Sequence, residues 1–281
     1  MKTELDNLIV NKYKFIRPLG KGSYGFIYQG EHIRTREPVA IKVEPISENG
    51  GLVKHETKIY QYLNMTSQKI PDSGIACVKW FGRDESNYYM VLEMLGESLE
   101  TVKERRDSFS LSTVLQIGIQ VVQRLRFLHE AGLVHRDIKP GNFLLGRSDK
   151  SRLIYLIDFG FCKRHDQGET RVKVKRTAII GTPNFISVNV HELNEPERKD
   201  DLESLVYMLI YFYLGKLPWE KTDMSLENIM KAKISLTNER EIWEKTIPPM
   251  FLNFLEFLRK MNEDKIDYLM LMNILNETSI V

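Results

Sequence analysis

Short runs in which apolar and polar residues alternate dominate the first third of the chain, and this spacing is typical of half-buried β-strands. Two such runs, residues 13–19 and 26–30, flank a glycine-rich stretch at residues 20–25. A glycine-rich turn between two alternating runs predicts a hairpin, and not a strand that enters a helix. Further strands are predicted at residues 38–43, 77–82, 88–94 and 153–157.

Helical spacing appears once among these runs and takes over after Gly96. The first predicted helix carries its apolar face on Leu52, Ile59, Tyr60 and Leu63. Later helices are predicted at residues 112–129, with Ser110 or Ser112 as the N-cap, and at residues 201–214, 225–233 and 249–261. The pattern therefore predicts an α+β chain, with a sheet-rich N-terminal lobe that has one helix, a hinge near residues 93–96, and a mainly helical C-terminal lobe.

Composition agrees with this interpretation and gives no sign of a nucleic-acid-binding, secreted or membrane-spanning protein. The 281 residues are 42% hydrophobic and 28% charged, and the net charge of +2 gives no reason to expect a nucleic-acid partner. Residues 1–6 lack the apolar segment of a signal peptide, and the longest apolar run, residues 205–214, is about half of what a bilayer requires. Two distant cysteines, Cys77 and Cys162, fit a reducing compartment. We therefore expect an intracellular protein of the cytoplasm or nucleus, without membrane insertion.

Residues that carry chemistry concentrate in two short loops between apolar runs. Asp137, Lys139 and Asn142 share the first loop, and Asp158 opens the Asp-Phe-Gly sequence of the second. Asp137 can accept the proton of an attacking hydroxyl, while oxygens of Asn142 and Asp158 suit magnesium, which prefers hard ligands. The pattern H-R-D-x-K-x-x-N followed by D-F-G thus indicates phosphate transfer from a nucleotide. The alternative, that each Asp is an ordinary N-cap or turn residue, explains neither the spacing nor the order.

Two features upstream fit the same chemistry. The G-x-G-x-x-G sequence of residues 20–25 predicts a flap over ATP phosphates, although such a sequence alone also occurs in plain turns. Lys42 lies in a β-branched run and needs a partner if that strand is buried, and Glu56 lies on the helix predicted after it. A Lys42–Glu56 pair would aim the ammonium at the α- and β-phosphates. The alternative is a lysine on an edge strand and a glutamate on a solvated helix face.

In this order the motifs resemble those of the eukaryotic protein kinases, over about residues 10–275. Within that superfamily the chain is similar to the casein kinase 1 family. Residues 95–100, 138–145 and 199–219 carry this similarity. The most specific feature is Ser187-Val-Asn189, which stands where other kinases have Ala-Pro-Glu.

The resemblance implies a bilobal protein kinase fold that acts as a monomer with ATP and Mg²⁺ on protein serine or threonine. Residues 1–94 would be the N-terminal lobe and residues 95–281 the C-terminal lobe. The implied catalytic residues are Asp137, Lys139, Lys42 and Glu56, and the implied metal ligands are Asn142 and Asp158. The implied nucleotide-binding residues are Gly20, Lys21, Gly22, Ser23, Gly25, Ile27, Ala40, Lys42, Leu92, Glu93, Leu95 and Leu145.

Casein kinase 1 enzymes prefer serines that follow acidic or phosphorylated residues, so the resemblance implies protein substrates of that kind. This chain has Asn184 where the family usually has an arginine, and a later basic cluster is reduced to Lys231 and Lys233. Residues 171–176 are basic and could compensate, since alternating cations can gather an acidic peptide. The predicted substrate-binding residues are Lys173, Lys175, Arg176 and Asn184. The same stretch could instead be a solvated loop face or a nuclear-import signal.

Other functions stay open on the sequence alone. A pseudokinase would bind ATP as a scaffold without turnover, but such proteins usually lack the strand lysine, the catalytic Asp or the metal Asp, and this chain has all three. A kinase-fold enzyme that acts on a small molecule is disfavoured by the Ser187-Val-Asn189 sequence. Cys162 is either a reactive thiol near the nucleotide or a small core residue. Asp201, at the start of an apolar helix, is expected to brace the catalytic loop.

Overall fold

The chain divides into two compact units. The computed structural model describes residues 8–9, 12–22, 25–46, 51–67, 72–165, 175–220 and 224–276. The first unit, called the N-unit, contains Met1–Gly96 and Leu145–Gly160, and the second, called the C-unit, contains Glu97–Leu144 and Phe161–Val281. The N-unit thus includes a segment, Leu145–Gly160, that the sequence alone assigns to the second lobe.

The alternating runs of the N-terminal part form one antiparallel sheet. Its strands are β1 (Leu8–Ile9), β2 (Tyr13–Gly22), β3 (Gly25–His32), β4 (Pro38–Pro45), β5 (Val78–Arg83) and β6 (Asn87–Glu93). Four shorter strands lie outside this sheet and form two pairs, β7 (Leu133–Val134) with β10 (Lys163–Arg164), and β8 (Phe143–Leu145) with β9 (Ile154–Leu156). The first six follow the order β1-β2-β3-β4-β6-β5 across the sheet. Because β2 pairs with β3 as far as Gly22 and Gly25, the glycine-rich stretch joins a hairpin, as predicted.

Strand β4 is buried on both of its faces. Val39 and Ile41 point to one face and join an apolar core that includes Val91 of β6. Lys42 points to the opposite face, as strand alternation requires, and is buried as well. Helix α1 (Leu52–Ser67) packs against β4, β5 and β6. A lysine in the middle of this sheet therefore needs a partner of opposite charge.

Helices form most of the C-unit, so the predicted α+β class is confirmed. They are α2 (Leu99–Glu104), α3 (Leu111–Glu130), α4 (Val188–His191), α5 (Arg198–Leu214), α6 (Leu226–Asn238), α7 (Arg240–Trp243), α8 (Pro249–Lys260) and α9 (Tyr268–Asn276). Short 3₁₀ helices lie at Pro140–Asn142, Ser148–Lys150, Phe159–Phe161 and Glu263–Lys265. Among the described residues, no helix has both the length and the apolar character needed to cross a membrane.

Helix α5 lies at the centre of the C-unit and is buried along almost its whole length. Helices α3 and α8 pack against it, and α9 packs against both of these. Gly118 of α3 permits close approach, because a Cβ there would lie 2.9 Å from Leu275 and 3.1 Å from Leu209. Four large aromatic residues of this unit are buried, namely Phe127, Tyr207, Phe212 and Trp219.

Caps decide where the helices begin. Ser110 is the N-cap of α3, since its side chain accepts a hydrogen bond from the Thr113 backbone amide. Helix α5 begins at Arg198 and not at Asp201, because Glu197 and Asp200 form a capping box one turn earlier. The earlier start leaves Asp201 within the first turn of the helix.

Candidate active site

In the N-unit, Lys42 lies between two carboxylates. Its Nζ is 2.6 Å from Oε2 of Glu56 and 3.2 Å from Oδ1 of Asp158. Burial alone would lower the pKa of Lys42, but the two carboxylates outweigh it and raise the pKa above its ordinary value. The predicted Lys42–Glu56 contact is therefore present, and the ammonium is kept charged.

Helix α1 is fixed relative to β4 by a residue that the sequence did not single out. Glu44, two positions after Lys42 and on the same face of the strand, accepts hydrogen bonds from the backbone amides of Leu52 and Val53, at 3.1 and 2.7 Å. These amides belong to the first turn of α1, which has no acidic residue of its own. The strand thus holds the helix at two points, one at its first turn and one at Glu56.

The Asp-Phe-Gly sequence ends the segment of the N-unit that follows the catalytic loop. Asp158 has a φ of +64°, in the left-handed region that a non-glycine residue rarely adopts. Phe159 is fully buried and meets the ring of Tyr60 edge to face, with 4.7 Å between the ring centroids. Glu56 and Tyr60 both belong to α1. This helix therefore contacts Lys42, which pairs with Asp158, and also Phe159, which follows Asp158 in the chain.

The described residues predicted to bind nucleotide all belong to the N-unit. They lie at the end of β2 (Gly20, Lys21 and Gly22), the start of β3 (Gly25 and Ile27), the middle of β4 (Ala40 and Lys42), the end of β6 (Leu92 and Glu93) and at Leu95 and Leu145. The sheet register pairs Ile27 with Lys42 and Ala40 with Leu92. Ser23 lies outside the described residues.

Backbone packing explains a glycine at the hairpin and another at the hinge. A Cβ at Gly25 would lie 2.0 Å from the carbonyl oxygen of Val43, so no side chain fits there. The Gly96 amide donates to the carbonyl oxygen of Leu145 at 2.7 Å, and a Cβ at Gly96 would lie 3.0 Å from that same oxygen. The hinge backbone is therefore fixed against Leu145, within the N-unit.

In the C-unit, Asp137 is buried among hydrogen-bond donors. Its Oδ2 is 2.7 Å from Nζ of Lys139, and its Oδ1 accepts from the Thr182 hydroxyl at 3.0 Å. The 3₁₀ turn Pro140–Asn142 brings the Asn142 side chain next to Asp137, and its Nδ2 donates to the backbone carbonyl oxygen of Asp137 at 2.7 Å. Thr182 was missing from the predicted site, because no spacing rule links it to a loop so distant in the sequence.

Asp201 supports the catalytic loop from the first turn of α5, as predicted. Its carboxylate accepts from the backbone amides of His135 and Arg136, at 2.8 and 2.9 Å, and from Nε2 of His129 at 2.9 Å. Although burial opposes the charged form, these donors lower the pKa of Asp201. Arg136 has a φ of +73°, so the carboxylate stabilises a backbone conformation that is otherwise strained.

The described residues predicted to bind substrate have contacts within the C-unit. Nη1 of Arg176 is 2.6 Å from Oε2 of Glu195, and Nζ of Lys175 donates to the carbonyl oxygen of Glu192 at 3.1 Å. The backbone carbonyl oxygen of Asn184 accepts a hydrogen bond from Nε1 of Trp219 at 3.0 Å. Lys173 lies outside the described residues, and substrate contact by any of the four stays a prediction.

The Ser187-Val-Asn189 sequence is bonded to the start of α5. The Ser187 hydroxyl donates to Oδ1 of Asp200 at 2.6 Å, and Nδ2 of Asn189 donates to Oδ2 of the same residue at 2.8 Å. Ser187 also caps α4 by accepting from the Val190 amide. The two polar residues that distinguish this sequence from Ala-Pro-Glu therefore attach the segment to the central helix.

Lys233 is a buried residue and not part of a surface basic cluster. Its Nζ donates to the carbonyl oxygens of Pro183 and Ile186, at 2.8 and 2.7 Å, and is 3.1 Å from Nε2 of His191. It also lies over the ring of Tyr207, 4.8 Å from the centroid. The side chain has no exposed surface, and burial lowers its pKa well below the ordinary value. Lys233 thus fixes the backbone on both sides of Asn184.

Cys162 is a core residue. Its side chain is buried, and burial raises the pKa of the thiol far above its ordinary value. A thiol in such surroundings is inert, because the thiolate is the reactive form. Of the two interpretations that the sequence allowed, the structure favours the small core residue.

The predicted metal ligands suit magnesium by their chemistry. The amide nitrogen of Asn142 is used by Asp137, so the amide oxygen is the atom that this side chain can offer to a cation. Asp158 adds a carboxylate that already contacts Lys42. A carboxylate and an amide oxygen are each hard donors of the kind that Mg²⁺ prefers.

A comparison with known families identifies the family of the chain. The family model described as the protein kinase domain matches residues 13–272, a range that includes the candidate site residues described above. Members of this family are phosphotransferases that act on proteins, with ATP as the phosphate donor. The chain belongs to the protein kinase domain family.

Proposed function

We propose that the chain is a serine/threonine protein kinase of the casein kinase 1 type, which transfers the γ-phosphate of ATP. The observation that carries the proposal is the set of donors around Asp137. One carboxylate oxygen accepts from Thr182, the other contacts Lys139, and the backbone oxygen holds Asn142. A carboxylate fixed in this way is oriented to act on a hydroxyl group, which is the central requirement of the reaction.

In this proposal, Asp137 orients the substrate hydroxyl and accepts its proton as the new phosphate ester forms. Lys139 neutralises charge on the phosphoryl group during the transfer. Lys139 belongs to the same short loop as Asp137, and its ammonium is 2.7 Å from the carboxylate that acts on the hydroxyl. Catalysis of this kind consists mainly of placement and charge stabilisation.

The N-unit residues take the nucleotide-binding role. Lys42 binds the α- and β-phosphates, and Glu56 keeps its ammonium in place at 2.6 Å. Asp158, together with Asn142 of the catalytic loop, is proposed as a residue that would hold Mg²⁺. When bound, Mg²⁺ would neutralise phosphate charge and help to align the phosphate oxygens.

Support for the casein kinase 1 type comes from the segment that begins at Ser187. The family's Ser-x-Asn sequence has a structural purpose here, since both polar side chains bind Asp200. Serine or threonine specificity is supported by Lys139, which stands two positions after the catalytic aspartate, as in the family pattern.

We propose protein substrates with acidic residues before the target serine, and only a weak preference for phosphorylated ones. Asn184 brings no cation to the position where the family has an arginine, and Arg176 is already paired with Glu195. The chain is proposed to act as a monomer in the cytoplasm or nucleus.

The test is transfer of labelled γ-phosphate from ATP to casein in the presence of magnesium. The wild-type chain is expected to label casein on serine and threonine, and Asp158→Asn is expected to lose the activity at least about 100-fold. Phosphoamino acid analysis of the product separates serine and threonine from tyrosine. Peptides with aspartate or phosphoserine before the target serine then test the substrate preference.

Glu97→Gln serves as the matched control, because Glu97 is exposed and pairs with Arg105, which is exposed as well. ATP binding without transfer by the wild-type chain would favour the pseudokinase. Labelling of tyrosine alone would contradict the proposed specificity.

A further inference from the structure

His129, in the last turn of helix α3, lies between a carboxylate and a hydroxyl group. Its Nε2 is 2.9 Å from Oδ2 of Asp201, and its Nδ1 is 2.8 Å from the hydroxyl oxygen of Tyr268. The imidazole is fully buried, and its centroid is 5.9 Å from that of the Tyr268 ring. Asp201 belongs to the first turn of α5 and Tyr268 is the first residue of α9, so this imidazole joins three helices.

The two neighbours of His129 determine which of its nitrogens carries the hydrogen. Although burial opposes the charge of Asp201, hydrogen bonds from His129 and His135 lower its pKa, so the carboxylate is ionised and can only accept. Burial raises the pKa of Tyr268, so its phenol keeps the proton at neutral pH. The neutral imidazole therefore donates from Nε2 to Asp201, and its Nδ1 accepts from the hydroxyl of Tyr268.

The contacts of Asp201 continue this chain of donors and acceptors to the catalytic loop. The carboxylate accepts from the backbone amides of His135 and Arg136. The ring of His135 in turn accepts from the backbone amide of Asp137 at 3.3 Å. A change in the orientation of the Asp201 carboxylate would therefore move the backbone that carries Asp137.

The segment that precedes α9 is attached to the same turn of α5. Glu263, in the 3₁₀ helix Glu263–Lys265, accepts hydrogen bonds from the backbone amides of Arg198 and Lys199, at 2.9 and 3.2 Å. These are the first two residues of α5, and α9 also packs against α3. Tyr268 is therefore held near both helices independently of its own hydrogen bond.

We propose that Tyr268 is a positioning residue for the kinase reaction, which acts on the catalytic loop through His129 and Asp201. Its hydroxyl fixes the hydrogen of the imidazole on Nε2 and holds the plane of the ring. The ring thereby orients the Asp201 carboxylate towards the two backbone amides of the loop. Helix α9 thus takes part in supporting Asp137. The inference rests on the proposed function, because it concerns the rate of phosphate transfer.

A competing explanation is that the hydroxyl only satisfies the hydrogen-bonding capacity of a buried ring. The substitution Tyr268→Phe separates the two explanations, since it keeps the aromatic ring and removes the hydroxyl. If the hydroxyl only satisfies the ring, the variant is less stable but its folded molecules react at the normal rate. If the hydroxyl positions the loop, kcat falls in the folded protein, because the Asp201 carboxylate is no longer held in one orientation.

The first experiment measures kcat and KM of Tyr268→Phe with ATP and casein, per molecule of folded protein. The kcat is expected to fall at least about fivefold, as one hydrogen bond at a buried acceptor is lost. The KM for ATP is expected to change by less than about twofold, since the predicted nucleotide-binding residues belong to the N-unit. An unchanged kcat would overturn the proposal.

Tyr213→Phe is the matched control, because it removes a phenol hydroxyl from α5 in the same unit. The hydroxyl of Tyr213 makes no hydrogen bond with another residue of the described ranges, and its ring meets that of Phe251 edge to face. The kcat of this variant should equal that of wild type. An equal loss of kcat in the two variants would contradict a specific role of Tyr268.

Nitrogen-15 NMR of protein with labelled histidine observes the imidazole directly, and His129→Gln assigns the signals of His129. At neutral pH the wild-type ring is expected to carry its hydrogen on Nε2 alone. The Nδ1 resonance should move to higher frequency in Tyr268→Phe, because this nitrogen loses its hydrogen-bond donor, and should stay in place in Tyr213→Phe. A wild-type ring with a hydrogen on Nδ1 would contradict the proposal.

Hydrogen exchange tests the path to the catalytic loop without an assay of activity. In Tyr268→Phe the amides of His135 and Arg136 are expected to exchange at least about fivefold faster. The amide of Val114, which donates to Ser110 at the other end of α3, should keep its rate.

Faster exchange at the Val114 amide as well would indicate a general loss of stability and would contradict the positioning role. Unchanged exchange at the two loop amides would contradict it too. If the wild-type chain transfers no phosphate but the expected exchange pattern is present, the proposed function fails while the action of Tyr268 on the loop stands.

Discussion

Two charge clusters among the described residues have opposite compositions. In the N-unit one cation, Lys42, lies between two carboxylates, Glu56 and Asp158. In the C-unit one carboxylate, Glu195, lies between the three cations Arg136, Lys163 and Arg176, and we call these four residues the Glu195 cluster. The side chains of Lys42 and Glu56 are 9% and 2% exposed, whereas that of Glu195 is 40% exposed. The clusters therefore differ both in the sign of the central charge and in their access to water.

This difference predicts how each cluster responds when its centre is removed. A buried charge that loses its partner is expensive, because water cannot replace the missing group. A charge near the surface recovers water and dissolved ions, so its loss costs less and can be compensated from solution. The Lys42 cluster should thus behave as a fixed part of the fold, and the Glu195 cluster as a site whose centre can be exchanged for another anion.

The largest effect is expected from Lys42→Met. The substitution removes the ammonium proposed to bind the phosphates and leaves Glu56 buried without its partner. Phosphate transfer should fall at least about 100-fold, and the free energy of unfolding by about 2–3 kcal/mol. Initial rates with casein as substrate measure the loss of phosphate transfer, and urea unfolding measures the loss of stability.

The matched control is Arg105→Met, which removes an exposed cation from the Arg105–Glu97 pair. Its activity and unfolding midpoint should equal those of wild type. If Lys42→Met were as stable as this control, the premise that burial separates the two clusters would be wrong.

Most of the residues that enter the Lys42 cluster could be predicted from the sequence. The lysine lies in a strand with β-branched neighbours, the glutamate on an amphipathic helix, and the aspartate in a motif of fixed spacing. Each is constrained by local periodicity or by motif spacing, which a single sequence displays. Glu44 was missed because the capping of α1 depends on the approach of a strand and a helix that no spacing rule records.

The contacts of Arg176, Lys233 and Thr182 in the C-unit could not be predicted in the same way. Arg176 was expected to bind substrate, since a run of basic residues in a loop gives no sign of an internal partner. Lys233 was counted as a residual basic residue, although its side chain is buried against carbonyl oxygens. Thr182 has no local signal either. All three depend on contacts between segments distant in sequence, which only the folded chain brings together.

An intermediate effect is expected from pH, at the contact between the buried Lys233 and the half-buried His191. Burial and the adjacent Lys233 lower the pKa of His191 from 6.5 to about 4. Between these values the unfolded chain binds a proton that the folded chain does not, so the free energy of unfolding should fall as the pH is lowered from 6.5 towards 4. Because His191 is only half-buried, the contribution should be about 1–2 kcal/mol.

Urea unfolding of wild type and His191→Gln over this pH range isolates the contribution. The glutamine cannot be protonated but can still accept a hydrogen bond from Lys233, and other titrating groups cancel in the difference between the two proteins. The stability of wild type relative to the variant should decrease as the pH falls. A difference that does not vary with pH would contradict the assigned role of His191.

The smallest effect is expected from salt, and it tests the comparison most directly. At low ionic strength Glu195→Gln should lower the free energy of unfolding by no more than about 1 kcal/mol, because the carboxylate is partly exposed. At about 0.5 M NaCl this cost should shrink by half or more, since ions screen the cluster. The cost of Lys42→Met should change little, because Lys42 and Glu56 are buried away from those ions. Equal salt dependence of the two costs would show that the sign and number of charges, and not burial, govern both clusters.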